Sequence, residues 1–306
     1  MFAVAVMDDE PQAPGGREPR EAGERGSGAP ARDLVRPLHL GSRVVLVEHR
    51  CPHRSSGSVL TGRLEQPTLG FVLRGLGKAS VDGSRLHMDG NQVALLPPSE
   101  EYRVQHVGCG GRACAVTLRF SPELFTEALE DHGLRSRAPA PGLLPREPRA
   151  RLLLHRLLRA AAGSEETDPL RVEELCFRLL DCCLGDAARP QRGTRRTSPA
   201  AHAIADRARE VLAERMSERL ELAEVAAEVG CSVFHLCHAF KAATGTSLFR
   251  YLHQLRINEA LVRIHEGATD LSGLAFDLGF ASHSHFTRIF RREVGRLPSQ
   301  VRARRR

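Results

Sequence analysis

Between residues 222 and 295 one pattern is written twice, and this duplication limits what the chain can fold into more than any other feature. The first copy, Leu222 to Gly245, reads LAEVAAEVGCSVFHLCHAFKAATG; the second, Leu271 to Gly295, reads LSGLAFDLGFASHSHFTRIFRREVG. Leu222, Ala226 and Gly230 match Leu271, Ala275 and Gly279 at an offset of 49. Phe240 and Gly245 match Phe290 and Gly295 at an offset of 50, one residue having been gained after the first Gly. Each copy reads as a helix-turn-helix. A short helix carries a small Ala where a neighbour must come close, and Gly230 or Gly279 closes it in a left-handed conformation. Ser232 or Ser282 caps the next helix. Its Leu236 and Phe240, or Phe286, Ile289 and Phe290, then seal it onto the unit. One such match alone would be weak; two in tandem, in the same order, are specific.

The segment between the copies, Ser247–Gly267, is predicted to be one helix of about 19 residues. Its buried positions are Leu248, Leu252, Leu255, Ile257, Leu261 and Ile264. At ~1.5 Å per residue it spans roughly 28 Å, against ~34 Å between successive major-groove faces of B-DNA. A rigid connector of that order would present both second helices to one face of a duplex.

A length of 306 residues allows about two domains, and 42 % hydrophobic residues exclude a mostly disordered chain. No apolar run nears the ~20 residues of a spanning helix. The opening MFAVAVM stops at Asp8-Asp9-Glu10 without a basic leader, so no signal peptide is expected and the cytoplasm is the expected compartment. The net charge of +7 is concentrated at one end. Residues 281–306 hold arginines 288, 291, 292, 296, 302, 304, 305 and 306 against the single acid Glu293, which leaves the rest neutral overall. Such a terminus suits a polyanion, although a solvated Arg tail has the same composition. Only Lys78 and Lys241 of the 44 basic residues are lysines, a bias that runs through the whole chain. The eight cysteines form no CxxC pair and are read as reduced thiols. Cys182-Cys183 fall in an apolar helical pattern, as core residues do.

Residues 9–33, rich in Glu, Arg, Gly, Pro and Ala, are expected to be disordered. From Val35 to about Phe120 short β-prone runs alternate with turns. The predicted strands are 43–48, 69–74, 78–81, 92–96, 102–106 and 113–120, with Val81-Asp82-Gly83-Ser84 a tight hairpin. This spacing points to a small antiparallel barrel or sandwich. Helices are predicted over 121–130, opened by Ser-Pro-Glu, over 149–162 and over 169–184. The last two could pack on the barrel or pair with a second subunit. Residues 185–200, without apolar content, read as a linker. The resulting organisation is a disordered segment 1–33, a domain 34–184, a linker 185–200 and an all-helical domain 201–306. The fold class is α+β in two domains.

The repeat region resembles the AraC/XylS family of bacterial transcriptional regulators over residues 199–303, roughly a third of the chain. The resemblance rests on Ser232–Lys241, Thr244-Gly-Thr-Ser247 with Tyr251, Arg256, Gly279-Phe280, and Ser284 through Arg292, closed by Gly295 and Pro298. The β-rich front resembles the cupin-like sensor domain many members carry. The family implies a sequence-specific DNA-binding protein, not an enzyme, without a cofactor. Its expected partners are double-stranded DNA, with a small-molecule effector, RNA polymerase and a second copy of the chain as further candidates, and no membrane.

By position in the family motif, Phe234, His235, Cys237, His238 and Lys241 of the first recognition helix would face DNA. Cys237 and His238 depart from the family, which more often has a long polar residue and an arginine there; neither makes arginine's bidentate guanine contact. On the second helix Ser282, His283, Ser284, Thr287 and Arg288 would face DNA, Arg288 making the leading base contact. Arg291 and Arg292, one turn on, would bind phosphate, and the Arg302–Arg306 cluster would add non-specific affinity.

The competing reading is a metal- or thiol-dependent sensor or enzyme centred on the β domain, with Cys51, His53, His87, His106, Cys109 and Cys114 as ligands. The paired His-x-His of metal-binding cupins is absent, and Tyr102 stands near where a later histidine would fall. A Cys-x-His pair without further spaced ligands is weak evidence for zinc. An AraC-like DNA-repair protein with a methyl-accepting cysteine would need a cysteine cluster near the start, and residues 1–50 contain none.

Overall fold

The computed structural model describes residues 35–50, 59–107, 113–134, 142–162, 168–188 and 198–302. The N-terminal part folds into ten strands: β1 Val35–Leu40, β2 Val44–Arg50, β3 Val59–Leu64, β4 Thr68–Val72, β5 Leu76–Val81, β6 Ser84–Met88, β7 Gln92–Leu96, β8 Ser99–Val107, β9 Ala113–Phe120 and β10 Gly142–Pro145. They form two antiparallel sheets, ordered β1-β2-β9-β4-β7-β10 and β3-β8-β5-β6. The β5–β6 hairpin turns on Asp82 (φ 43°) and Gly83 (φ 80°), with Val81 opposite Ser84. Two left-handed residues in succession match the twist of a two-residue hairpin. Between the sheets lie Leu64, Val72, Ala79, Val81, Leu86, Met88, Ala94 and Leu96.

The outer face of the larger sheet carries Leu46, Leu69, Phe71, Val93, Leu118 and Phe120 against three helices. These are α1 (Pro122–Asp131), α2 (Pro148–Ala161) and α3 (Pro169–Ala188). Ser121 caps α1 by accepting from the Leu124 N–H at 3.3 Å. Cys176, Cys182 and Cys183 are buried in this core, and burial pushes Cys176 up to about 12.

All six predicted strands form; β1, β3, β6 and β10 were not anticipated. They are the four edges of the two sheets. An edge strand buries less and tolerates Pro and polar residues, so its pattern is weak: β1 carries Pro37 and an exposed Leu40. The third helix runs four residues beyond Leu184, and Pro199 and Ala200 lie in the next helix, so both ends of the expected linker are helical. Leu170 sits in the first turn of α3 and is exposed. The segment 1–33 lies outside the described residues.

The helical part comprises α4 (Pro199–Glu214), α5 (Leu222–Val229), α6 (Val233–Thr244), α7 (Leu248–His265), α8 (Leu271–Asp277), α9 (His283–Val294) and α10 (Pro298–Val301). No helix among the described residues is long and apolar enough to cross a membrane. A polar seam joins the helical part to the rest. Arg151 of α2 donates to Asn258 Oδ1 (3.1 Å) and pairs with Glu293 (3.3 Å). Asn258 Nδ2 donates to Asn91 Oδ1 (2.8 Å) and to the Gly90 carbonyl, while Asn91 Nδ2 donates to the Tyr251 carbonyl (3.1 Å). The Tyr251 hydroxyl donates to Asp89 Oδ2; burial and the Asp89 charge hold that phenol well above its ordinary range. Arg74 spans Glu259 (3.2 Å) and Glu266 (2.6 Å). So many buried polar groups are tolerable because they satisfy one another.

Candidate nucleic-acid interface

The two halves of α7 serve different cores. Leu248, Tyr251, Leu252 and Leu255 pack with Val211, Val225, Ala226, Leu236 and Phe240. Ile257, Ala260, Leu261 and Ile264 pack with Leu274, Ala275, Phe286, Ile289 and Phe290. All six predicted buried positions of the connector are buried. The seam covers its remaining side, so α7 is enclosed on every face over most of its length. Its 18 residues span roughly 27 Å.

The two helix-turn-helix units repeat each other down to single hydrogen bonds. Gly230 (φ 78°) and Gly279 (φ 74°) adopt the left-handed conformation. The following N–H returns to the buried Ala: Cys231 to the Ala226 carbonyl and Phe280 to that of Ala275, both at 3.0 Å. Ser232 then accepts from the His235 N–H (3.2 Å) and Ser282 from the His285 N–H (3.1 Å). Arg256 ties the units together from α7. It donates to the carbonyls of Met216 (2.7 Å), Glu218 (2.7 Å) and Gly279 (2.8 Å) and lies over the Phe280 ring. Burial lowers this guanidinium to about 10; carbonyls, not acids, are its partners.

Phe234, His238 and Lys241 occupy the side of α6 opposite Leu236 and Phe240, spaced i, i+4, i+7, and are exposed. His235 is exposed on the flank. Ser284, Arg288 and Arg291 form the equivalent stripe on α9 and are exposed, as are His283 and Arg292. Among the described residues no ion pair engages Arg288 or Arg291. Arg292 Nε pairs with Glu293 at 2.8 Å. Ser282 is half-buried at its cap.

Two expected outward positions lie on the flanks of their helices. Cys237 is half-buried against the first unit's core, and its counterpart Thr287 is half-buried with an Oγ1 that has no partner among the described residues. The cause is angular: each follows a core residue by one position, about 100° round the helix, and so sits on the flank. Arg302 donates to the Thr269 carbonyl, and residues 303–306 lie outside the described residues.

Glu293, fully buried at the end of α9, gathers Arg151, Arg292 (2.8 Å), Arg250 (3.7 Å) and the Gln254 amide (3.0 Å). Burial alone would raise its carboxyl, but the Gln254 and Arg292 hydrogen bonds and the Arg151 and Arg250 charges hold it below the usual range. The sequence reading noted Glu293 only as a lone acid in a basic stretch and missed Arg250, Gln254 and Arg151. Nothing local signals an anchor whose partner lies 142 positions away.

A second candidate site is a cavity of about 60 Å³ in the β domain. Gly70, Val72, Met88, Ala94 and Val116 make its apolar wall, and Tyr102, Arg119, His49 and Thr117 its polar side. His49 Nε2 and Thr117 Oγ1 hydrogen-bond at 2.9 Å, and burial raises the Tyr102 phenol. Of the metal ligands considered from sequence, Cys51, His53 and Cys109 lie outside the described residues, as do the side chains of His106 and Cys114. His87 faces Asp206 at 3.4 Å in the domain seam. Among the described residues no three His, Cys, Asp or Glu side chains gather as metal ligands would.

Comparison with known proteins matches residues 197–304 to a helix-turn-helix domain and residues 63–180 to an AraC-like ligand binding domain. Regulatory protein SoxS of Salmonella typhimurium is 34 % identical over 91 residues, 30 % of this chain and 85 % of SoxS. The HTH-type transcriptional activator RhaS of Escherichia fergusonii is 31 % identical over 91 residues, 30 % of this chain and 33 % of RhaS. Among solved structures, ToxT from Vibrio cholerae aligns over 85 % of this chain and 97 % of its own, at 11 % identity and a TM-score of 0.35. The chain belongs to the AraC/XylS family: it is a DNA-binding transcription regulator with an AraC-like ligand-binding domain ahead of its helix-turn-helix domain.

Proposed function

We propose that this regulator reads two successive major-groove segments with α6 and α9, held at a fixed spacing by α7. The observation that carries this reading is the division of α7 between two cores, which makes one rigid body of two recognition units. The exposed stripes Phe234-His238-Lys241 and Ser284-Arg288-Arg291 would enter the grooves, with His235 and His283 beside them at the helix starts. Arg288 is the base-reading arginine, while Arg291, Arg292 and Arg302 add phosphate contacts. Cys237, Thr287 and Ser282 act by shaping and capping the helices. The working units are 34–184 for sensing and 201–306 for DNA, joined through 185–200, with 1–33 outside both. RNA polymerase and a second copy of the chain are the proposed protein partners, and the cytoplasm the proposed compartment.

The β-domain cavity is the proposed entry for regulation. Its apolar wall and the polar side of Tyr102 and Arg119 suit a compact, mostly apolar molecule bearing one acidic or hydroxyl group. Such a ligand would act on DNA binding through the seam between the β domain and α7.

Hydroxyl-radical footprinting on a selected duplex should protect two segments about one helical turn apart on one face. Arg288→Ala should weaken specific binding by ~1–3 kcal/mol and leave non-specific binding nearly unchanged. An unchanged ratio of specific to non-specific affinity would remove Arg288 from base readout.

A further inference from the structure

The outward stripe of α6 carries an aromatic pair where that of α9 carries an arginine. Phe234 is 74 % exposed, and its ring centroid lies 4.4 Å from that of His238, tilted by 42°. The phenyl does nothing for the fold: Leu236 and Phe240, both fully buried, already seal the helix. Its place in the repeat is that of Ser284, and the place of His238 is that of Arg288. Lys241, on the same stripe one turn on, supplies the positive charge that a phosphate backbone attracts. This face therefore combines a cation for the backbone with an apolar surface for whatever lies in the groove.

A phenyl ring offers no hydrogen bond to a base edge. In the major groove the thymine C5-methyl is the apolar group that distinguishes one base pair from another. We propose that the Phe234–His238 pair reads thymine methyl groups, so that the half-site under α6 is chosen for methyls and that under α9 for guanine. This inference rests on α6 being a recognition helix. His238 acts as the backing of the platform: one turn along the helix and tilted against the phenyl, it fixes the direction of the Phe234 ring, and an ordered aromatic gives up little freedom on binding.

The test uses the full chain and a randomised duplex pool, from which bound sequences are selected and the two half-sites assigned by footprinting. The enriched duplexes are then remade with deoxyuridine in place of thymidine in one half-site at a time, which removes only the methyl. Wild-type affinity should fall about fourfold for each contacted methyl lost under α6, the cost of uncovering one carbon. Phe234→Ala should bind the thymidine duplex as weakly as wild type binds the deoxyuridine one, and respond no further to the replacement. Phe234→Leu should keep part of the response. Replacement under α9 should affect wild type and Phe234→Ala alike. Equal wild-type affinity for thymidine and deoxyuridine duplexes, with specific selection intact, would overturn the methyl reading alone. So would an undiminished deoxyuridine penalty in Phe234→Ala. Failure to enrich any sequence would overturn the two-helix DNA reading itself, and this inference with it.

Discussion

The two helix-turn-helix units share their caps, their left-handed glycines and their buried Ala, yet they are attached to the molecule through different chemistry. The first meets the β domain through α4, where Lys78 reaches Glu210 at 2.6 Å and His87 faces Asp206, both partly exposed, and through the buried Tyr251 hydroxyl on Asp89. The second meets α2 through Glu293 and Arg151, both buried, and through Leu152, which packs against its core. Their outward stripes differ as well, aromatic on α6 and guanidinium on α9. Duplication preserved what the backbone needs and left surface and attachment free to diverge. The second unit is thus held by a buried ion pair where the first is held by a buried phenol on a carboxylate, and Arg292, the proposed phosphate contact, pairs with Glu293.

That contrast breaks most sharply at Arg151. Its guanidinium, lowered to about 10 by burial against the pull of Glu293, leaves a buried carboxylate short of its one fully buried cation when removed. Arg151→Ala should cost ~3–5 kcal/mol in denaturant unfolding. Glu293→Gln should lose less, and the double variant should fall well short of the sum. Additive losses would mean that Gln254, Arg250 and Arg292 hold Glu293 without help from α2.

Gly230 and Gly279 separate backbone strain from crowding. Both have left-handed φ, but a Cβ at 230 meets nothing within 4 Å, whereas one at 279 would lie 2.8 Å from Arg256 Nη2 and 2.8 Å from the Ser217 carbonyl. Gly230→Ala should destabilise by ~1 kcal/mol, the left-handed cost alone. Gly279→Ala should cost ~3 kcal/mol, because the arginine that binds three carbonyls must move. Equal losses in thermal or denaturant melts would deny Arg256 its place as the tie between the units.

What could be read from the sequence follows the same division. Features fixed by local backbone chemistry were legible: Gly230 and Gly279, the Ser232 and Ser282 caps, the Val81–Ser84 hairpin and the six buried positions of α7. The edge strands β1, β3, β6 and β10 were not, because a strand with one free side needs no strong pattern. Cys237 and Thr287 sit half-buried on the flank, an angular offset of one residue from the core that a linear motif does not display. The seam was invisible for a different reason. Asp89, Asn91, Arg151, Asn258 and Glu293 are ordinary turn or surface residues singly, and only the fold brings them out of water together.

Acid should act through the second unit. His253 is buried at the junction of α7 with Phe280, stacked on that ring at 5.6 Å, and burial together with the nearby Arg256 and His285 lowers it to about 4. An unfolded histidine titrates near ~6.5. Above that pH both states are neutral and the stability is complete. As pH falls toward about 4 the unfolded chain takes up a proton that the folded chain refuses, so stability is lost at up to ~1.4 kcal/mol per pH unit. His155, also lowered to about 4 by burial and His265, steepens the slope. His253→Phe, which keeps the stack, should flatten the loss between those pH values; an unchanged profile would assign the acid sensitivity elsewhere.

The smallest effect is expected at the first unit's attachment. Lys78 pairs with Glu210 at 2.6 Å, but its side chain is 40 % exposed, and Arg207 reaches the same carboxylate at 3.0 Å. Water and a second cation both compensate for its loss, so Lys78→Ala should change stability by less than ~1 kcal/mol. Added salt should shrink the difference further, since an exposed pair is screened where the buried Arg151–Glu293 pair is not. The ratio of the two losses, Arg151→Ala over Lys78→Ala, measures how unequally the two ion pairs hold their units. A Lys78→Ala loss as large and as salt-resistant as that of Arg151→Ala would make both units anchored, and α6 as constrained in its approach to DNA as α9.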